Sequence, residues 1–119
     1  LSPARRILVW QQAMLEEVES DPLFRSYFVM MAAAVGNRAD VRDAFLAAHE
    51  DVRETLRAAI EEAQDAGEIG RSVDADSAAL AIGSLTLGIS VELLLDPDLD
   101  MTAMRRTAQG AVKGILGIT

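Results

Sequence analysis

No cysteine occurs anywhere in this 119-residue chain, so disulfides, thiol nucleophiles and cysteine-based zinc sites are all excluded. Histidine is nearly absent too: His49 stands alone, which rules out any site needing two histidine ligands. Lys113 is the sole lysine, and 11 basic residues face 19 acidic ones, for a net charge of -8. A surface so acidic is poorly suited to holding a nucleic-acid phosphate backbone. Aromatic residues are few: Trp10, Phe24, Tyr27, Phe28 and Phe45. The N-terminal "LSPARR" has neither a methionine nor an apolar secretory run, and reads as the start of a trimmed piece.

What is present favours helix. Half of the residues are hydrophobic, and the chain is rich in Ala, Leu, Arg and Glu, which lose little side-chain freedom in a helix. Caps and breakers divide it into five helices with no strand alternation. Ser2-Pro3 is an N-cap followed by proline at the first helical position, and Asp21-Pro22 repeats the device. The first helix repeats Ile7, Trp10, Met14 and Val18 at helical spacing. The second carries Phe24, Tyr27, Phe28, Met31 and Val35 and ends at Gly36-Asn37. The third, from about Asp40 to Ala66, has a buried stripe through Val41, Phe45, Ala48, Val52, Leu56, Ala59, Ile60 and Ala63. Glu50, Glu54, Arg57, Glu61, Glu62 and Asp65 form its wet face, and Gly67 is its C-terminal cap. "EIGRSV" reads as an extended connector, Asp74 as the cap of the fourth helix, and Asp96 to Asp100 as a turn. The fifth helix shows Met101, Met104, Ala108, Ala111, Val112 and Ile115 on one side.

The fourth helix is the unusual one. From Ser77 to Val91 it has no charge, and Leu80, Ile82, Leu85, Leu87, Ile89, Val91 and Leu93 point all round its axis. A membrane span is not expected: the uncharged run is 15 residues, where about 20 apolar ones are needed, and Asp74, Asp76, Asp96 and Asp98 flank it without basic anchors. A helix this apolar must be covered on nearly every side. The fifth helix is sparse in bulk, with Ala108, Gly110, Ala111, Gly114 and Gly117. Together the two suggest a shared self-association surface, which two-fold pairing would turn into an intermolecular four-helix bundle. The alternative is that the glycines merely loosen a surface helix.

No catalytic constellation is visible. Ser84, Thr86 and Ser90 lack a base-and-orienter arrangement nearby in sequence, and there is no glycine-rich phosphate loop. A di-iron carboxylate bundle needs inward Glu-x-x-His motifs that this chain does not have. "MRRTAQGAVKGILGI" imitates a helix-turn-helix, but only nine residues follow Gly110 and the helical stripe runs straight through it. His49 reads either as a half-packed boundary residue or as a polar group at a cavity rim. Trp10, Met14, Tyr27, Phe28, Met31 and Phe45 come from three helices and can converge; residue type alone favours plain core over a pocket.

The segment "IEEAQDAGEIGRSVDADSAALAIGSLTLGISVELLLDPDLD" (Ile60 to Asp100) resembles the C-terminal part of TetR-family transcriptional regulators. The features that carry it are the "AGEI" turn at Ala66 to Ile69, the helix start at Asp74 to Ala79, and the apolar helix closing on "LLDPDLD". "ESDPLFRSYFVMMAAAVGNRADVRDAF" (Glu19 to Phe45) fits the same order of helices. The resemblance implies an all-α, antiparallel bundle of about five helices forming one regulatory domain over residues 1–119. It further implies a cytoplasmic homodimer without enzymatic activity or cofactor, touching DNA only through a helix-turn-helix domain outside this chain. A small hydrophobic effector would occupy a pocket, carried over to Trp10, Met14, Phe28, Met31, Phe45, His49, Thr86 and Leu87. The dimer surface is expected on Leu80, Leu87, Val91, Leu94, Ala108, Ala111, Val112 and Ile115. A stand-alone helical interaction module that dimerises and binds no small molecule is the competing reading.

Overall fold

Five helices account for the fold in a computed structural model: α1 (Pro3–Ser20), α2 (Pro22–Ala34), α3 (Ala39–Asp65), α4 (Ala75–Leu95) and α5 (Met101–Leu116). The structure describes residues 1–34, 36 and 39–119, without the side chains at positions 28, 32, 34, 39 and 41. The expected stripe residues Val35 and Val41, and Asn37 of the second helix's stop, therefore lie outside what is described.

Local chemistry sets the boundaries. Ser2 Oγ accepts from the Arg5 N–H at 3.3 Å, opening α1. Asp21 serves two helices at once. Its N–H donates to the Glu17 carbonyl at 2.9 Å to close α1, while its Oδ1 accepts from the N–H of Leu23 (3.0 Å) and Phe24 (3.3 Å) to open α2. Gly67 adopts a φ of 77°, and the N–H groups of Gly67 and Glu68 donate to Gln64 and Ala63, the paired bonds of a Schellman stop. Gly117, at φ 68°, ends α5 in the same way through Gly114 and Lys113.

Two local expectations need correction. Asp74 occupies the N-cap position of α4 but makes no capping hydrogen bond; its Oδ2 instead accepts from Ser77 Oγ at 2.5 Å. The connector after Gly67 is not extended. Gln64 Nε2 donates to the carbonyls of both Gly70 (3.0 Å) and Val73 (2.8 Å), folding the segment back, and Ile69 is buried beneath it.

The assembly measures 42 × 34 × 20 Å across its Cα atoms, about two helix diameters thick. In this slab α4 is central and packs against all four other helices. One apolar cluster joins Ile7, Leu56, Ile60, Ala79, Ile82, Val112 and Leu116. A second joins Leu15, Val18, Ile89, Leu93, Met101 and Ala108. Between them lie the buried polar residues Gln11, Thr86 and Ser90. On the surface, Arg6 pairs with Glu62 at 2.5 Å, tying α1 to α3, and Arg53 pairs with Asp76 at 2.5 Å, tying α3 to α4. Arg57 links Glu54 and Glu61 along the wet face of α3.

The length argument against a membrane span does not survive. As folded, α4 is 21 residues and is long and apolar enough to cross a membrane by length and composition alone. What distinguishes it is packing, since Ile82, Thr86, Ile89, Ser90 and Leu93 face the other helices. Nor is it covered all round within one chain. Leu80 and Leu95 are exposed, and Leu87, Val91 and Leu94 are half-buried.

Candidate functional site

The inner walls of α1 to α4 line a partly open cavity of about 280 Å³. Within each helix most of the lining residues lie three or four apart, the spacing that keeps side chains on one helical face, with Ala48–His49 and Thr86–Leu87 adjacent. From α1 come Trp10 and Met14, and from α2 Phe24, Tyr27 and Met31. From α3 come Phe45, Ala48, His49 and Val52, and from α4 Gly83, Thr86 and Leu87. Tyr27 and Phe45 meet edge to face, ring centroids 5.1 Å apart at 70°, and join α2 to α3 across one end of the cavity.

The lining is almost wholly hydrocarbon. Thr86 is the buried polar residue in it, and its hydroxyl donates to the Ile82 carbonyl at 2.9 Å. His49 is half-buried at the edge, as its place beside the apolar stripe of α3 dictates. A cavity with such walls can retain an apolar molecule and offers little to a charged one.

Among the residues carried over from the resemblance, Trp10, Met14, Met31, Phe45, His49, Thr86 and Leu87 meet around this cavity. The side chain of Phe28 lies outside the described residues. Gly83, Ala48 and Val52 were not foreseen as lining. Ala48 and Val52 were read as part of the apolar stripe of the third helix, while Gly83 leaves no apolar signal, and only its helical register with Thr86 could have placed it there. Phe24 and Tyr27 were visible as part of the apolar face of α2.

A larger open groove, about 570 Å³, runs between α1 and α3, with Arg6, Glu54 and Glu62 on its rim and Trp10 and Leu56 below. It is an open trench, crossed by the Arg6–Glu62 ion pair. The apolar cavity between α1 and α4 is the candidate site, since few polar groups line it. Among the described residues no group of three or more His, Asp or Glu side chains could hold a metal ion.

The expected self-association surface is redrawn by the fold. Ala108 and Val112 are fully buried in the chain's own core, Ala108 against Leu15 and Ile89 and Val112 against Ile7 and Ile82, so neither is available to a partner. The free side of α5 is instead Thr107, Gly110, Ala111 and Gly114, with Ile115 half-buried at its edge. The free side of α4 runs through Ser77, Leu80, Ala81, Ser84, Gly88, Val91 and Leu95; it is uncharged as far as Val91, and the exposed Glu92 lies on it between Gly88 and Leu95. A Cβ built on Gly88, Gly110 or Gly114 would meet no atom within 4 Å, so these glycines are not needed for packing inside the chain.

The family of BetI-type transcriptional repressor C-terminal domains matches the chain over residues 3–117. The protein therefore belongs to this branch of the TetR family, whose C-terminal domains are regulatory helical bundles that commonly dimerise and bind ligands. No curated protein and no solved structure matches the chain.

Proposed function

We propose that this chain is the effector-binding and dimerisation domain of a cytoplasmic repressor, touching DNA only through a domain outside residues 1–119. The observation that carries this reading is the cavity of about 280 Å³, walled by four helices and by apolar side chains. A small hydrophobic molecule held there favours one arrangement of α1 to α4 over another. It changes DNA affinity only by as much as its affinities for the two arrangements differ. The arrangement it selects releases DNA.

Two copies pair through the free sides of α4 and α5 as an intermolecular four-helix bundle. Support comes from the uncharged run of Leu80, Ala81, Ser84, Gly88 and Val91 beside the small residues Gly110, Ala111 and Gly114. Leu80, Leu87, Val91, Leu94, Ala111 and Ile115 remain candidates for this contact; Leu87 also lines the cavity, which places both surfaces on one helix.

Trp10 is the sole tryptophan and lies in the cavity wall, so binding is readable from its fluorescence. Titration with apolar compounds of graded size should quench or shift that emission. It should also raise the melting temperature; ligand at 100 times its Kd stabilises by roughly 2.7 kcal/mol. If no compound does either while the protein is dimeric, the chain is a self-associating helical module without a small-molecule ligand.

A further inference from the structure

Aromatic side chains are unevenly placed in this fold. The chain has five, and four of them, Trp10, Phe24, Tyr27 and Phe45, are among the twelve residues that line the cavity. The fifth, Phe28, has its side chain outside the described residues. The buried members of both core clusters are Ala, Ile, Leu, Val and Met, without a ring among them. Trp10 and Phe24 touch those clusters only as partly buried neighbours. Close packing elsewhere in the chain is thus done by aliphatic side chains, and the rings gather where space is left.

These rings come from three helices, so they form walls on different sides of the space rather than a single patch. A branched aliphatic side chain enters the wall only at Val52 and Leu87. Met14 and Met31 add two thioethers, which make favourable contacts with ring edges. The edge-to-face meeting of Tyr27 and Phe45 shows the geometry in which rings attract one another. Against such walls an aromatic guest gains from the ring quadrupoles as well as from burial, whereas a saturated guest of the same size gains from burial alone. A cation is also drawn to ring faces, but no Asp or Glu lines the cavity to offset the loss of its hydration shell.

We propose that the cavity selects a neutral aromatic molecule, one planar ring with a short substituent, over a saturated hydrocarbon of equal size. This rests on the reading of the cavity as an effector site and narrows it. Each ring-to-ring contact multiplies affinity by about two- to tenfold. The volume, about 280 Å³, is about twice the roughly 150 Å³ of an apolar cavity that takes benzene, which sets the molecule at about 10 to 15 non-hydrogen atoms.

The test compares 4-phenylbutan-1-ol with 4-cyclohexylbutan-1-ol, which share chain and hydroxyl and differ only in the ring, by Trp10 fluorescence. The phenyl compound should bind the wild-type protein at least as tightly, although a saturated ring leaves water more readily. The ratio of cyclohexyl to phenyl Kd should fall by about two- to tenfold in Phe45→Leu, and likewise in Phe24→Leu, each of which removes one ring and keeps the wall apolar. Val52→Ala removes only aliphatic surface, so it should weaken both compounds alike and leave the ratio unchanged. 4-Propyltoluene, which has the ring without the hydroxyl, should lose affinity in step with the phenyl compound. The two phenylalanines lie on different helices, and the wild-type comparison needs neither variant, so one that fails to fold leaves the test intact. A cyclohexyl compound that binds the wild type more tightly, a ratio unmoved in the ring variants, or a 4-propyltoluene affinity indifferent to them overturns the proposal and leaves the effector-site reading standing. If none of the three compounds binds up to its solubility limit, both fall.

Discussion

Gly83 gives the sharpest test of the cavity as real, usable space. It lies mid-helix in α4, lines the cavity, and a Cβ built on it would meet nothing within 4 Å. Glycine inside a helix costs about 1 kcal/mol relative to alanine, so Gly83→Ala should stabilise by that amount. For a domain of this size that is a rise of about 4 °C in melting temperature. Gly83→Leu adds three more carbons, each contributing about 0.8 kcal/mol when fully buried. With the cavity partly open, about half of that is expected, for a further gain of about 1 kcal/mol. The same leucine occupies space that a ligand needs, so the affinity for 4-propyltoluene should fall by at least about tenfold, more than 1.4 kcal/mol. Stability should thus rise while binding is lost, an opposition that a generally damaging substitution cannot produce. Thermal melts and Trp10 fluorescence titrations on glycine, alanine and leucine variants read both quantities. A leucine variant melting below the wild type would mean that the space is already filled. Unchanged affinity would place the ligand elsewhere.

Gly88→Glu should leave the fold of one chain intact, because its Cβ points into open space, yet bring two like charges together in a dimer; light scattering at micromolar concentration should show monomers, and an unaltered dimer would move the interface away from α4. Gln64→Ala removes both hydrogen bonds that fold the connector back onto α3 and should cost about 1–3 kcal/mol in chemical denaturation; no loss would show that buried Ile69 holds the connector unaided. The hydrogen bond from Arg53 holds the Asp76 carboxyl below its ordinary value of 3.8. What this pair adds to stability is therefore present above pH 3.8 and is lost as the pH falls through the lower folded value. Arg53→Gln should raise the Asp76 titration midpoint, followed by carboxyl NMR shifts; an unmoved midpoint would deny the link between α3 and α4.

Much of this fold is legible in the sequence because its punctuation is local. Ser2, Asp21 and Gly67 act within five residues of the backbone groups they satisfy, so spacing alone reveals them. The connector after Gly67 was misread because its shape depends on Gln64, whose side chain reaches six and nine residues along the chain. Helix rotation was the other hidden quantity. The apolar and small residues of α5 cover so wide an arc that its inward side cannot be chosen until α1 and α4 are in place. Ala108 and Val112 turned out to face those two helices, leaving Ala111 and the glycines outside. The cavity was half visible: large side chains at helical spacing announced convergence. Whether they meet or leave a gap turned on Gly83, a residue with no side chain to announce it, and on the small Ala48 of the α3 stripe.

Trp10 borders both the apolar cavity and the more polar trench between α1 and α3. Its indole is thus the wall that the two spaces share. Truncating it to alanine would join the two compartments into one open-ended channel, and the cavity would lose its power to discriminate by size. Small solvent-like molecules would then enter and leave as freely as the effector. On the effector-site reading proposed above, selection by size would rest on this one side chain as much as on the residues that line the cavity.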